Sequence, residues 1–425
     1  MYIQSLELKN YRNYDRLIIE FSSGTNILYG DNAQGKTNIL EAVYLGATTK
    51  SHRGSKDKEI IRFGENESHI RIHLMKQDIG HQIDMHLKKS RTKGAAIDQI
   101  PIKRSSDLLG FVPVIFFSPE DLSIIKNGPS ERRKFLDIEL SQLEKMYLHQ
   151  LSSYNKVMAQ RNNLLKQLVY QRELLDTLDS WDLQLVKYGS EVIRYRRKFI
   201  EDLNEIIREI HKNLTGKKEK IVLKYDYSVN YDEFLTVLQR KREIDLKYAS
   251  TGAGPHRDDI EFLVNGIDIR RFGSQGQQRT AALSLKLAQI ELVKRQTGET
   301  PILLLDDVLS ELDSSRKNYL LDSIKDIQTL ITCTGLEEFI NSHLQIDKMF
   351  QVKLSEKIRR NVWALRKKEN MVRIRFRSWR DWKLYGKGPE CTLEVHPPKG
   401  FIIWYMKLWT MRSMNHWQVT VIRFM

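Results

Sequence analysis

Gly30-Asp31-Asn32-Ala33-Gln34-Gly35-Lys36-Thr37 matches the pattern G-x-x-x-x-G-K-[ST] of a phosphate-binding loop. A short apolar run, Thr25–Tyr29, precedes the loop and predicts a buried strand, and apolar residues recur after the loop at helical spacing. A strand–loop–helix order directs backbone N–H groups and a helix N-terminus at one point, which suits a polyphosphate. We therefore expect all eight residues to bind ATP. Lys36 should reach the β- and γ-phosphates, and the Thr37 hydroxyl should ligate Mg²⁺.

A second motif, Pro301–Asp307, is an apolar strand that ends in two acids, the Walker B pattern. Many buried strands end in aspartate, so the pattern is weak alone and becomes strong only beside a phosphate-binding loop. In this pairing Asp306 is expected to hold Mg²⁺, directly or through water, and Asp307 to polarise the attacking water. Asp307 and Lys36 are thus the predicted catalytic residues.

A third segment, Ser274–Arg279, opens a helical pattern that carries Leu283 and Leu287. A serine and a glycine at a helix start suit an anion, although an ordinary helix cap is the simpler interpretation of the same residues. On the first interpretation we assign Ser274, Gly276 and Gln277 to nucleotide binding.

The order of these motifs, completed by Ser310–Asp313 after the Walker B strand, resembles that of an ABC-type ATPase head. The resemblance implies an α/β fold of the P-loop NTPase class. In that family the signature segment of one subunit closes on the γ-phosphate held by another, which implies an ATP-dependent homodimer. The segment here departs from the transporter form LSGGQ, and no transmembrane partner is present in the chain.

Composition narrows the functional class less than the net charge of +15 suggests. Residues 353–425 carry 17 Lys and Arg against 5 Asp and Glu, a net +12, so the first 352 residues hold only +3. No apolar run approaches the roughly 20 residues of a membrane span, and no signal peptide is evident. The two cysteines, Cys333 and Cys391, fit a reducing cytoplasm. We therefore expect a cytoplasmic protein with no membrane partner.

The composition changes abruptly at about residue 353. Residues 353–425 hold six of the seven tryptophans and show no sustained periodicity, which marks a boundary there. Back-translation with the reading frame shifted permits, across 387–415, a string that resembles the start of the ATPase domain of DNA gyrase. We interpret this tail as an out-of-frame, disordered read into a neighbouring gene. The alternative is a basic, aromatic arm that binds nucleic acid.

The remaining chain divides into alternating strands and turns near both ends and helical periodicity between them. We expect an ATPase head formed by 1–110 and 250–352. A largely helical lobe, 111–249, should be inserted between the two parts, with room for a short helical hairpin but not for a long coiled coil.

Three further stretches resemble the RecF family of bacterial DNA replication and repair proteins, and the resemblance covers about residues 1–352. They are Leu8–Tyr14, Phe117–Asp137 with its two motifs FSPEDL and GPSERRKFLD, and Gly254–Asp259.

This resemblance implies ATP-dependent DNA binding in recombinational repair, replication and the SOS response to DNA damage. ATP would close two subunits around double-stranded or gapped DNA without reading its sequence. Weak, DNA-stimulated hydrolysis would act as the release switch. The family also implies help in loading a recombinase together with recombination mediator proteins.

The sequence leaves two rival functions open. A transporter ATPase subunit would bind a membrane protein. A long-armed chromosome-maintenance ATPase would need hundreds of helical residues between Thr37 and Ser274, which the chain lacks.

Several other polar clusters each allow a functional and a structural interpretation. The resemblance suggests that Ser51-His52-Arg53 lies near the nucleotide base, and a solvated loop is the alternative. His256–Asp259 suits a structural turn better than a metal site. Arg132–Lys134 and Arg194–Lys198 are either solvated helix faces or phosphate contacts to DNA.

Overall fold

A computed structural model describes residues 1–335 and 345–353, together with the backbone of three two-residue strands farther on. Those strands are Glu390–Cys391, Leu408–Trp409 and Ile422–Arg423 (β15, β16 and β17). Apart from these strands and Lys353, the tail 353–425 lies outside the described residues, and so does our interpretation of it.

The nucleotide-binding motifs belong to a parallel sheet with the strand order β17-β14-β3-β13-β12-β8. Its longer strands are β3 (Thr25–Tyr29), β8 (Val114–Phe117), β12 (Ile302–Asp306), β13 (Thr329–Cys333) and β14 (Lys348–Lys353). Neighbouring strands in this group are all parallel, so their carboxyl ends meet at one edge. The P-loop after β3 and the acids that end β12 therefore share that edge.

The two faces of the parallel sheet are buried in different hydrophobic cores. Successive side chains of a strand point to opposite faces and therefore enter different cores. Ile302 and Leu304 of β12 join one core, whereas Leu303 and Leu305 join the other. The near-continuous apolar runs of β3, β12 and β13 reflect burial on both faces.

The first core lies under an antiparallel sheet with the order β2-β1-β4-β5-β6-β7. Its strands are β1 (Tyr2–Tyr11), β2 (Tyr14–Glu20), β4 (Glu67–Lys76), β5 (Ile79–Lys88), β6 (Gly94–Ile97) and β7 (Ile100–Pro101). Helix α1 (Lys36–Thr48) lies between the two sheets, and α2 (Asp57–Ile60) follows it. Alternating side chains of β1 and β4, among them Leu6, Leu8, Ile70 and Ile72, are buried beneath this sheet.

The inserted lobe is built around a helical hairpin, as the periodicity indicated. The hairpin joins α5 (Lys145–Gln167) to α6 (Thr177–Leu214). Shorter helices surround it: α3 (Leu122–Lys126), α4 (Pro129–Leu143), α7 (Phe234–Arg240), α8 (Arg242–Tyr248) and α9 (Ile269–Phe272). A three-stranded sheet of β9 (Ile221–Asp226), β10 (Asp259–Val264) and β11 (Ile267–Asp268) packs into the same core.

The division into head and lobe stays a prediction. Strand pairing disagrees with both of its expected boundaries, the one after residue 110 and the one at 249/250. β8 begins after residue 110 yet pairs with β12, so it belongs to the parallel sheet of the head. β9 and β10 lie on opposite sides of the boundary at 249/250 yet pair with each other. The lobe therefore extends beyond residue 249.

Helix α10 (Gln275–Thr297) connects the two parts, and α11 (Ser314–Ser323) follows farther along the chain. Leu283 and Leu287 of α10 pack against the parallel sheet, whereas Ala281, Leu285 and Leu292 pack against the lobe. A helix buried on most sides carries little amphipathic signal, which is why only part of its contacts could be read from spacing.

Candidate nucleotide-binding site

The P-loop follows β3 directly, and α1 begins at Lys36, as the motif predicted. Gly35 precedes the helix with φ of 101°, a left-handed conformation that favours glycine. A Cβ at this position would lie 2.5 Å from Asn13 Nδ2 and 2.8 Å from the Tyr14 hydroxyl. Both backbone conformation and close packing therefore require glycine here.

The loop is supported from outside by the turn between β1 and β2. The Tyr14 hydroxyl donates a hydrogen bond to the Gly35 carbonyl at 2.9 Å, and Asn38 Nδ2 donates to Asn13 Oδ1 at 2.7 Å. Both Asn13 and Tyr14 belong to the opening stretch that carried the family resemblance. Sequence reasoning gave no role to that stretch, which positions the P-loop.

Lys36 is folded back over the loop. Its ammonium donates to the carbonyls of Gly30 at 2.5 Å and Asp31 at 2.9 Å. Burial lowers the Lys36 pKa, an effect that the negative charges of Asp307 and Asp306 oppose. A positive group held at the loop in this way is suited to meeting phosphate oxygens.

Thr37 and Asp306, which are 269 positions apart, lie in contact. The Thr37 hydroxyl donates to Asp306 Oδ1 at 2.8 Å, and the Thr332 hydroxyl donates to the same oxygen at 2.7 Å. A hydroxyl and a carboxylate side by side are the oxygen donors that Mg²⁺ uses beside phosphates. These residues therefore fit a magnesium ion.

Asp307 lies next to this pair with φ of 54°, which is unusual for a residue other than glycine. Its backbone N–H donates to the Thr332 hydroxyl at 3.0 Å. Burial raises the pKa of Asp307, and the adjacent Asp306 carboxylate raises it further, while Lys36 lowers it. The arrangement holds a carboxyl group beside the lysine and near the candidate metal ligands.

A cavity of about 230 Å³ brings most of the predicted site residues together. Its lining residues are Asn32, Ala33, Gln34, Gly35, Lys36, Thr37, Asn38, Arg53, Asp306, Asp307 and Thr332. Gly30 and Asp31 take part through the carbonyls that accept from Lys36. Asn38 and Thr332 were missed, and for Thr332 the signal was its place at the end of β13, the strand between β3 and β12.

The Ser51-His52-Arg53 segment divides into two roles. Arg53 lines the cavity, which supports a place near the nucleotide. His52 stacks on Phe116 with ring centroids 3.9 Å apart, and burial lowers its pKa to about 4. The Ser51 hydroxyl donates to Glu41, which also receives hydrogen bonds from Arg12 at 2.6 and 2.8 Å. These contacts tie the segment to α1.

Ser274, Gly276 and Gln277 do not line this cavity. They form the first turn of α10, where the Ser274 hydroxyl accepts from the Gln277 N–H at 3.2 Å and Gln277 Oε1 accepts from the Ser274 N–H at 3.0 Å. Ser274 and Gly276 are exposed. The segment is thus a helix cap within its own chain, with its surface free for contact with another molecule.

His256–Asp259 is a structural turn, as the ligand spacing favoured. His256 bonds to the Tyr154 hydroxyl at 2.6 Å and to the Thr251 carbonyl at 3.0 Å. Asp258 accepts from the Ser228 N–H at 2.8 Å. The polar atoms of this turn are therefore engaged by protein partners.

The basic clusters require a correction, because one arginine of each is buried. Arg132 is 1% exposed and donates to both carboxylate oxygens of Asp259 at 2.5 and 2.9 Å. Arg196 is 2% exposed and donates to Asp137 at 2.7 Å. Arg132 and Arg196 therefore fit neither a solvated face nor a phosphate contact, since both guanidinium groups are already paired inside the lobe.

Comparison with known proteins gives a consistent result. The family model described as "RecF/RecN/SMC N terminal domain" matches residues 2–359. A protein named "DNA replication and repair protein RecF" from Lachnoclostridium phytofermentans is 60% identical over 352 residues, or 83% of this chain and 98% of the relative. Its namesake from Agathobacter rectalis is 59% identical over 352 residues, with 83% and 97% covered.

Solved structures agree with the sequence relatives. A structure described as the recombination mediator protein RecF with ATP in the RecFOR pathway superimposes with a TM-score of 0.78 at 37% identity. The match covers 83% of this chain and 95% of that one. The expected α/β ATPase-head fold is thereby confirmed.

Proposed function

Because this chain belongs to the RecF/RecN/SMC N-terminal domain family, and is similar along most of its length to relatives named RecF, we propose that it is an ATP-dependent DNA-binding protein of replication and recombinational repair. The observation that carries the proposal is a divided site. The P-loop and the Walker B acids share one cavity, whereas the signature segment lies exposed on α10 outside it. ATP held by one subunit would thus need a second subunit to complete its surroundings.

Within one subunit, the P-loop amides and Lys36 would hold the phosphates of ATP. Thr37 and Asp306 would hold Mg²⁺, which supplies positive charge beside the β- and γ-phosphates. Asp307 would accept a hydrogen bond from the attacking water and orient it. Arg53, at the rim of the same cavity, would contact another part of the nucleotide.

Across two subunits, the first turn of α10 would meet the γ-phosphate of the partner. Gly276 supports this, because an added Cβ would lie in open space, with Ser274 Oγ at 3.8 Å as its nearest neighbour. Packing within the described part of the chain does not require glycine at this position, whereas close approach by a phosphate would favour it.

DNA would be held by the closed dimer through its phosphates, without sequence reading. The exposed members of the basic clusters, Lys134, Arg194, Arg197 and Lys198, remain candidates for these contacts. Duplex and gapped DNA are the proposed substrates.

Weak, DNA-stimulated hydrolysis would open the dimer, and recombination mediator proteins are the proposed partners in loading a recombinase. The cytoplasm, where bacterial chromosomal DNA lies, is the proposed location.

The transporter-subunit alternative gains no support from the relatives named above. Among the described residues, no helix combines the length and the apolar character needed to cross a bilayer.

The proposal is tested by light scattering of the full chain with ATP, ADP or no nucleotide, each with and without gapped DNA. We expect dimers only with ATP, and more of them on gapped DNA. Ser274→Arg should abolish the ATP-dependent dimer while ATP binding by the monomer persists. Gln296→Arg adds the same side chain to the exposed C-terminal end of α10 and serves as control. Normal dimers of Ser274→Arg would refute the two-subunit site.

A further inference from the structure

A cluster of imidazole and carboxylate groups lies on the exposed face of the antiparallel sheet, away from the nucleotide cavity. It consists of Glu67 and His69 on β4 and His86 on β5. His69 and His86 are directly opposite each other in the strand register, and Glu67 is two positions before His69. Residues two apart on a strand share a face, so the fold places all three side chains together.

The three side chains converge on one point. Glu67 Oε2 lies 3.0 Å from His86 Nε2, and Glu67 Oε1 lies 3.8 Å from His69 Nε2. One donor atom from each residue lies within 4.8 Å of the others. Ligands of tetrahedral zinc, at 2.0–2.2 Å from the metal, are separated by about 3.4 Å. The His69 and His86 rings are stacked with centroids 3.8 Å apart, so both rings would have to rotate for their in-plane lone pairs to meet at one ion.

A neighbouring lysine can take the place of a metal ion beside the Glu67 carboxylate. Lys88 Nζ lies 3.9 Å from Glu67 Oε2 and competes with a metal ion for this carboxylate. The pair with Lys88 is long and exposed, however, and such pairs contribute little.

We propose that Glu67, His69 and His86 form a binding site for a divalent transition-metal ion of the zinc class, with one coordination position open. Two imidazoles and one carboxylate are a ligand set that zinc uses at sites with an open position. The ligands stand on two rigid, paired strands. The opposite face of β4 packs on α1, where a Cβ added to Gly46 would lie 2.4 Å from Ile72 Cδ1. A bound ion would thus clamp the sheet that covers the P-loop helix.

The test uses Zn²⁺ alone, titrated into the full chain after chelation and dialysis, in the absence of ATP and DNA. We expect one equivalent to bind with micromolar affinity or better, and His69→Gln and His86→Gln each to lose it. His73→Gln is the matched control, because His73 shares the exposed face of β4 but pairs with Glu7. Other histidines and cysteines in the chain are common to all variants, so their contribution cancels in the comparison.

Two further readouts separate coordination from damage to the fold. Co²⁺ should give the intense visible absorption of a four-coordinate site in the parent and in His73→Gln only, and Zn²⁺ should raise the Tm of the same two proteins. Circular dichroism should be the same for all variants. Unchanged zinc stoichiometry in His69→Gln and His86→Gln, or no binding by the parent, would overturn the proposal and leave the proposed ATPase function untouched.

Discussion

At the scale of single residues, Asp307 combines an unusual backbone conformation with an unusual charge environment. Its φ is 54°, and its Oδ1 is buried without a hydrogen-bond partner among the described residues. Burial and the neighbouring Asp306 raise its pKa. Strained backbone and perturbed ionisation concentrate at functional sites, where surrounding structure holds them in place. Asp307 is therefore the residue whose replacement is most informative.

Asp307→Asn should leave ATP binding intact and slow hydrolysis by roughly 10²- to 10⁴-fold, because an amide is a poor acceptor for the proton of the attacking water. Phosphate release and nucleotide titration measure the two effects separately. Asp78→Asn, at an exposed turn, is the control. Turnover equal to that of the parent would remove Asp307 from the mechanism.

The same variant has a consequence for stability without nucleotide. A carboxyl group whose pKa is raised from its ordinary 3.8 in the folded protein stabilises the fold below pH 3.8, and that contribution is lost as the pH rises through the folded-state pKa. At neutral pH, Asp307→Asn should therefore unfold at higher urea concentration than the parent, and the gain should shrink in acid.

Lys36→Ala should weaken ATP binding by about 10- to 100-fold or more, since a hydrogen bond to a charged group is worth about 1.5–3 kcal/mol. Lys58→Ala is the control. It removes an exposed lysine of α2, the helix that follows α1, and this variant should bind ATP normally. Equilibrium binding of a fluorescent ATP analogue gives both constants. Equal affinity in the two variants would contradict the role of Lys36.

Single residues were predictable from the sequence where a local motif fixes them. The P-loop, its strand and the two acids could be placed because each lies within a few residues of the pattern that defines it. Arg132 could not, because its partner Asp259 is 127 positions away and a basic triplet looks the same whether solvated or paired. The contact of Asn13 and Tyr14 with the P-loop is equally non-local.

At the scale of elements, a buried polar contact joins α10 to β8 of the parallel sheet and to the segment that follows β8. Lys286 donates a hydrogen bond to the carbonyl of Phe116, in β8, at 2.9 Å. It also forms a 2.9 Å ion pair with Asp121, which follows β8 in the chain. Glu139 of α4 is buried nearby. Burial, reinforced by the charge of Asp121, raises the pKa of Glu139 to about 7, although Lys286 opposes the shift.

This cluster makes stability depend on pH around neutrality. The Glu139 pKa lies above its ordinary 4.5, so its contribution is fully present below pH 4.5 and lost as the pH rises through about 7. Glu139→Gln should remove that loss and raise the free energy of unfolding at pH 8 by up to about 3 kcal/mol. Urea unfolding at pH 5 and pH 8 measures it, with Glu131→Gln of the same helix as control. A steeper pH dependence in Glu139→Gln would contradict the assignment.

The two kinds of arginine on the lobe helices should respond differently to charge reversal. Arg132→Glu leaves Asp259 without its partner and should cost about 3–5 kcal/mol of stability. Arg197→Glu changes an exposed side chain and should leave stability nearly unchanged. If Arg197 meets a DNA phosphate, the slope of log affinity against log salt should fall by about one. Titrations at several salt concentrations decide this, and an unchanged slope assigns Arg197 to a solvated face.

Elements were predictable where periodicity was long and regular, as in α5 and α6. β8 lies outside the expected range of the head although it pairs with β12, because four apolar residues do not reveal which strand they will pair with. Its partner β12 begins at Ile302, and only the assembled sheet shows the pairing. Spacing could not show, for the same reason, that β9 pairs with β10 across the expected boundary at 249/250.

At the scale of the whole molecule, most of the net positive charge lies beyond the strand that completes the head. Residues 353–425 carry +12 of the total +15. Val352, the penultimate residue of β14, is fully buried against the rest of the head. Relatives named RecF match 352 residues of this chain over 97–98% of their own length. The family model ends at residue 359, six residues after the end of β14.

Removing residues 354–425 should leave ATP binding and ATP-dependent dimerisation unchanged, because β14 stays whole. Non-specific DNA affinity at low salt should fall, since a strongly basic segment attracts phosphates without regard to sequence. The difference in DNA affinity between the truncated and the full chain should vanish at high salt.

The out-of-frame interpretation adds a direct test in the nucleotide sequence. A one-base shift near codon 353 should restore a short terminus and open a gyrase-like reading frame downstream. If the shifted frame does not encode that string, or truncation prevents dimerisation, the tail is part of the working protein.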